Sequence, residues 1–249
     1  VTLNIIHERP PAVKQKIRPG AVTPEAATNI LRWGMLATGT DAMRWLILAD
    51  IHSNLAALQA SLTAAAEEYG EVICLGDLVG YGPEPNPVVE WTRAHVSTCI
   101  RGNHDKAVWD PDVTADFNYA ARLAAEWTRP QLTEENLRYL RELPRGPAEV
   151  GGFQIVHGAL SGEDKYILGQ ADALQELRRA SAALVFYGHT HSQCGYVEDG
   201  TGGFGEFKPQ LPRGRSRVAL ELLPGERYLI NPGSVGQPRD GDTRAAFCI

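Results

Sequence analysis

A chain of 249 residues with 43% hydrophobic and 22% charged residues has the mix of a soluble globular protein, enough for one large domain or two small ones. Its apolar runs, at 45–49 and 182–187, fall far short of the ~20 residues that span a bilayer, and no secretory-type apolar stretch stands at its start. A net charge of −6 argues against a broad nucleic-acid surface but leaves a phosphate substrate open, because bound metals can reverse the local charge.

In chain order, residues 1–42 show no strand signal, and Pro10, Pro11, Pro19, Gly20 and Pro24 interrupt any periodicity. Thr23 as cap and Pro24 in the first turn allow a short helix over 26–33. We read 1–42 as an N-terminal extension, flexible or foreign to the domain, and 43–249 as the domain itself. On that reading the extension supplies no catalytic group, and a chain starting at Met43 keeps its turnover.

From Met43 the pattern alternates: strand 45–49, helix from Leu55 to Ala65, strand 72–75, helix from Pro87 to His95, strand 96–100. Such alternation implies a largely parallel sheet covered by helices. Helical spacing continues at 116–128 and 134–143. Strands are expected at 153–156 and 184–187 with a helix at 171–180 between them, and again at 218–223, 227–230 and 245–249. The Gly/Pro-rich stretch 200–214 reads as a loop. The sequence stops inside an apolar strand, and exposed strand edges invite aggregation, so the domain is expected to be truncated here and the gene to encode more. Cys74, Cys99, Cys194 and Cys248 have no CxxC spacing and read as buried free thiols, which suggests a reducing, cytoplasmic setting.

Five polar segments each follow an expected strand: Asp50-Ile51-His52, Gly76-Asp77, Gly102-Asn103-His104-Asp105, His157-Gly158 and Gly188-His189-Thr190-His191. In open parallel sheets, sites gather at the carboxyl ends of strands. Each segment alone is ordinary loop chemistry: a turn, a cap or a structural histidine. Together they offer oxygen and nitrogen donors suited to borderline divalent metals, and the lack of cysteine among them argues against a structural zinc site.

In this order the segments resemble the signature of the calcineurin-like metallophosphoesterases, D-x-H, G-D, G-N-H-D/E, H, G-H-x-H, over Met43 to the C-terminus. The segments ILADIHSNLAAL, GDLVGYGPEPNPV and LINPGSVGQPRDGD look closest to the small bacterial phosphodiesterase branch. The resemblance implies an α/β fold, a two-sheet mixed β sandwich flanked by helices in four αββα layers. It implies one metal at Asp50, His52 and His191, a second at Asn103, His157 and His189, and Asp77 bridging them. His104 is left as the catalytic group facing the substrate. The G-D-x-x-D-R form of protein phosphatases is absent, since Gly80 and Tyr81 stand in its place.

The chemistry expected is metal-dependent hydrolysis of small phosphodiesters or phosphomonoesters through a hydroxide bridging two divalent transition metals, manganese first, with iron, cobalt, nickel or zinc as alternatives. A protonated His104 stabilises phosphoryl oxygens or donates to the leaving group. Asp105 either orients His104 or closes the turn. Candidate substrate contacts are Tyr81, Asn118 near Phe117, and Arg239 beside the 231–236 turn. After His157-Gly158, relatives often carry a Pro-Arg-Asp-like stretch, which this chain replaces with 159–164. His7 and His95 read as surface or packing residues. Rival readings are a nuclease or dinucleotide polyphosphate hydrolase, and a non-catalytic scaffold that kept the fold. The expected partner is a small phosphate ester, with no membrane.

Overall fold

The computed structural model describes residues 2–8, 43–66, 68–211 and 215–249. The apolar runs become short strands buried on both faces. β1 (Thr2–Glu8) comes first, then β2 (Trp45–Leu48), α1 (Leu55–Ala65), β3 (Glu71–Cys74), α2 (Pro85–His95), β4 (Thr98–Cys99) and α3 (Asn103–Ala107). A 3-10 turn, Pro111–Asp116, leads to α4 (Tyr119–Thr128) and α5 (Glu134–Glu142). The second half runs β5 (Ala148–Val150), β6 (Phe153–Val156), α6 (Gln170–Arg179), β7 (Leu184–Tyr187), β8 (Cys194–Glu198), β9 (Phe204–Phe207), β10 (Arg217–Glu221), β11 (Arg227–Asn231) and β12 (Ala245–Cys248).

These strands make two six-stranded mixed sheets, ordered β10-β1-β12-β2-β3-β4 and β5-β6-β7-β11-β8-β9. Parallel pairing joins β2, β3 and β4 in one sheet and β6, β7 and β11 in the other. Strand alternation explains the layers. Ile47, Ala49, Ile73 and Leu75 face the other sheet and meet Phe153, Ile155, Phe186 and Ile230 there. Leu46, Leu48, Val72 and Cys74 point the opposite way, into a core with Leu58 of α1, Val88 of α2 and Leu140 of α5. Leu177 of α6 packs on Val185 and Leu229 outside the second sheet. The result is the expected four-layer αββα sandwich. No helix among the described residues is long and apolar enough to cross a membrane.

Several elements differ from the sequence reading. Residues 2–8 are a strand of the domain, not part of an appended extension. β1 pairs antiparallel with both β10 and β12, with Ile5 opposite Val218 on one side and Cys248 on the other. The predicted helix 26–33 lies outside the described residues. β12 is internal, between β1 and β2, so the exposed edge expected there does not exist. β5, β8 and β9 are strands that the sequence did not announce, and β9 lies inside the stretch read as a loop. α2 begins at Pro85, and α4 at Tyr119 with the Asn118 side chain capping Ala121 N–H at 2.9 Å. The thiols of all four cysteines are free and buried, as expected.

Candidate metal centre

The segments that follow β2, β3, β4, β6 and β7 converge, because parallel strands in both sheets end at the same rim. The turns there are forced. Asp50, His52, Asp77, His189 and His191 adopt φ of 54°, 49°, 56°, 67° and 56°, the left-handed region that costs non-glycine residues on the order of 1–3 kcal/mol each. Backbone bonds hold them there, among them Asp50 N–H to Gly76 O at 3.0 Å and His52 N–H to Asp77 O at 2.9 Å. Gly102 is required by proximity, since a Cβ there would lie 2.1 Å from Asp77 Oδ1.

The donor atoms form two overlapping groups. Asp50, His52, Asp77 and His191 each bring one ligand atom within 4.8 Å of the others, as do Asp77, His157 and His189. Asp77 belongs to both. Its Oδ1 accepts the His104 N–H at 2.8 Å. Its Oδ2 is buried without a hydrogen-bond partner, 3.5 Å from both His52 Nε2 and His157 Nε2. Asn103 Oδ1 sits 3.0 Å from His157 Nε2.

Backbone carbonyls assign the histidine tautomers. Nδ1–H of His52 donates to Val79 O at 2.9 Å, that of His157 to Leu75 O at 2.9 Å, and that of His191 to Gln237 O at 2.7 Å. Their Nε2 lone pairs are therefore bare. Those of His52 and His191 face each other at 3.1 Å. Two lone pairs so close repel unless a cation lies between them. His189 is turned the other way: Nε2–H donates to Asp164 O at 3.2 Å, leaving Nδ1 as its free donor. The residues present fit divalent metal ions.

Burial dominates the electrostatics. It raises Asp50 to about 7 and pushes Asp77 well above the usual carboxylate range. It holds His52 well below its ordinary value, and His189 and His191 fall to about 2 and about 3. In the metal-free protein the His52, His189 and His191 imidazoles are thus neutral and ready to ligate at pH 7, whereas Asp50 still carries a share of its proton. Metal binding must displace that proton, so affinity is expected to rise as pH increases from 6 to 8. Calorimetric titration in buffers of different ionisation enthalpy reads the proton release, and an affinity independent of pH across that window would refute the coupling.

Tyr81, Asn118 and Arg239 line one cavity of about 600 Å³ together with His104 and the donor cluster. The Arg239 guanidinium lies 3.4 Å from Tyr81 Oη and is otherwise bonded to Gln237. Asn118 also has the capping duty described above. Asn103 and His104 open the short helix α3, which the sequence did not announce.

Of the two roles expected for Asp105 the structure shows the second, closing the turn, and the sequence reading missed two further supports, Asn231 and Tyr166. The buried Asp105 carboxylate does not orient His104. It accepts N–H bonds from Asp77, Leu78, Val79 and Gly102, tying the β3 turn to the β4 turn. Asn231 donates to Gly188 O at 2.8 Å and Thr190 Oγ1 at 3.0 Å, bracing the His189–His191 turn, and the Asn231-Pro232-Gly233 motif was its only signal. Tyr166 stacks on His189 at 3.8 Å, which no local pattern announces. His7, read as a surface or packing residue, is buried, with Nε2 on Gln193 Oε1 at 2.5 Å and Nδ1 on Asp242 at 3.2 Å.

Two mixed sheets, flanking helices and an Asp/His/Asn cluster at the strand ends define the class: a metallophosphoesterase fold with a candidate divalent-metal centre. Comparison with known proteins narrows it. Residues 43–249 match the calcineurin-like phosphoesterase superfamily domain. The uncharacterized protein MJ0912 of Methanocaldococcus jannaschii is 34% identical over 207 residues, 82% of this chain and 80% of that protein. The crystal structure of a metallophosphoesterase from Sphaerobacter thermophilus superposes with a TM-score of 0.67 at 36% identity, covering 84% of each chain. The chain belongs to the calcineurin-like phosphoesterase superfamily.

Proposed function

We propose that the protein is a two-metal phosphoesterase that hydrolyses small phosphodiesters or phosphomonoesters, with manganese the first candidate metal. The observation that carries this reading is the convergence of bare imidazole nitrogens and the partnerless Asp77 Oδ2 on shared points. Asp50, His52 and His191 would hold one ion, Asn103, His157 and His189 the other, with Asp77 between. Such a pair, when bound, acidifies a water and clamps the attacking and leaving oxygens. The cavity of about 600 Å³ suits a small ester better than a polymer. The presence of the whole donor set and of His104 argues against a non-catalytic scaffold.

The chain's own groups orient the ester. Arg239 presents a guanidinium without a carboxylate partner among the described residues, suited to a phosphoryl oxygen. His104 is wedged between Tyr81, His52 and Phe117, at ring distances of 4.7, 4.9 and 4.8 Å. Its Nδ1 is buried against Gly80 without a partner, so Nε2 is the nitrogen offered to the cavity. Burial above all, with the positive Arg239 guanidinium acting in the same direction, lowers its pKa to about 3. The resting ring is therefore neutral. This favours hydrogen-bond donation from Nε2 to a phosphoryl oxygen over delivery of a proton by imidazolium.

The test is a panel of mono- and diesters assayed with Mn, Fe, Co, Ni and Zn on the wild type and His104→Ala. The wild type should turn over at least one ester class in a metal-dependent way. His104→Ala should lose ~10²–10³ in kcat, as for removal of one oxyanion-type donor, while keeping its metals, by about the same factor on aryl and alkyl esters. No turnover of any ester with any metal sinks the function. Unimpaired turnover by His104→Ala sinks the residue's role.

A further inference from the structure

The loop between His157 and Lys165 is held by an ion cluster outside the donor set. The Glu163 carboxylate, with a side chain 11% exposed, takes a fork of bonds from Arg101, Nε to Oε2 at 3.2 Å and Nη2 to Oε1 at 2.9 Å. Lys106 Nζ adds a bond to Oε1 at 3.1 Å and reaches Asp164 Oδ2 at 2.5 Å. Arg101 and Lys106 bracket Asn103, a donor of the second metal group. Asp164, next to Glu163, supplies the carbonyl that accepts His189 Nε2–H. The start of the loop is wrapped closely, since a Cβ on Gly158 would meet Glu163 O at 2.4 Å.

We propose that Glu163 is a positioning residue for the second metal. Clamped by Arg101 and Lys106, it fixes the Asp164 carbonyl that aims His189 Nδ1, and it ties that carbonyl to the α3 turn bearing Asn103. The inference rests on the two-metal reading. Its physical basis is that a ligating imidazole is oriented by whatever accepts its other N–H, and loss of such a partner typically costs 10–100-fold in metal affinity. Asp50, His52 and His191 make no described hydrogen bond to Arg101, Lys106, Glu163 or Asp164: His191 is oriented by Gln237 O and His52 by Val79 O, while Asp50 meets His189 only at its backbone N–H, not at the imidazole that the Asp164 carbonyl aims. The two metal sites should therefore respond differently. The fork also explains why arginine stands at 101, since a bidentate carboxylate partner suits a planar guanidinium.

The experiment is calorimetric titration of the metal-free full chain with Mn²⁺, on the wild type, Glu163→Ala, Glu163→Gln and Arg101→Ala. The wild type should bind two ions. Glu163→Ala and Arg101→Ala should weaken one binding event by ~10–100-fold and leave the other within about twofold. Glu163→Gln, which keeps the shape but not the charge, should fall between them and the wild type. Equal weakening of both events would mean a general loss of structure and would overturn the assignment, as would two unaltered events in all three variants. A wild type that binds fewer than two ions would instead overturn the two-metal reading, and this inference with it.

Discussion

Replacing Asp77 with alanine is expected to remove metal and phosphoesterase activity together, with kcat/KM falling by at least ~10⁴-fold, as for the loss of a member of a catalytic unit. Asp77 is the one side chain shared by both donor groups, and its Oδ2 lies between His52 and His157. Without it neither cluster keeps its full set of donors, and on the proposed two-metal reading nothing would neutralise the repulsion between the ions. The fold should survive. Burial already pushes the Asp77 pKa well above the usual range, so an ionised carboxylate there destabilises the metal-free protein at pH 7. The metal-free variant should therefore melt no lower than the metal-free wild type by more than the lost bond to His104 N–H explains, about 1–3 kcal/mol. Metal analysis, melting and kinetics on one preparation separate these effects. A variant that keeps two metals and wild-type turnover would show that Asp77 does not bridge.

Removing residues 1–42 is expected to destroy the fold, contrary to what the sequence suggests. β1 lies between β10 and β12, and it buries Leu3, Ile5 and Ile6. Each such side chain contributes ~1.5–3 kcal/mol, about 5–9 kcal/mol in all, against a typical domain stability of ~5–15 kcal/mol. Deletion would also bare the edge of β12 and leave β10 without its neighbour, an invitation to aggregation. His7 adds a link toward the site, since Gln193, its partner, lies two residues past His191. A chain starting at Met43 should be insoluble or lack a cooperative melt. A folded truncation with an unchanged melting temperature would show that β1 is dispensable.

That the donor residues would meet at one rim was legible in the sequence. Asp50, His52, Asp77, Asn103, His157, His189 and His191 each follow an apolar run, and alternation of strands with helices forces such positions to one rim of a parallel sheet. The longer helices α1, α2, α4, α5 and α6 were legible too, because their apolar spacing is local, whereas the five-residue α3 was not. What remained hidden depends on partners distant along the chain. β1 reads as part of a proline-broken extension until Cys248 pairs with Ile5. The strands β5, β8 and β9 carry no strand pattern of their own and are defined by pairing with β6 and β11 and with each other. Sequence names His189 and His191 alike, yet only the folded loops decide that one offers Nδ1 and the other Nε2, because the carbonyls of Asp164 and Gln237 come from elsewhere. Residue type determines which atoms can bind a metal. Tertiary structure decides which of them are left bare, since hydrogen bonds to distant backbone groups fix tautomer and direction.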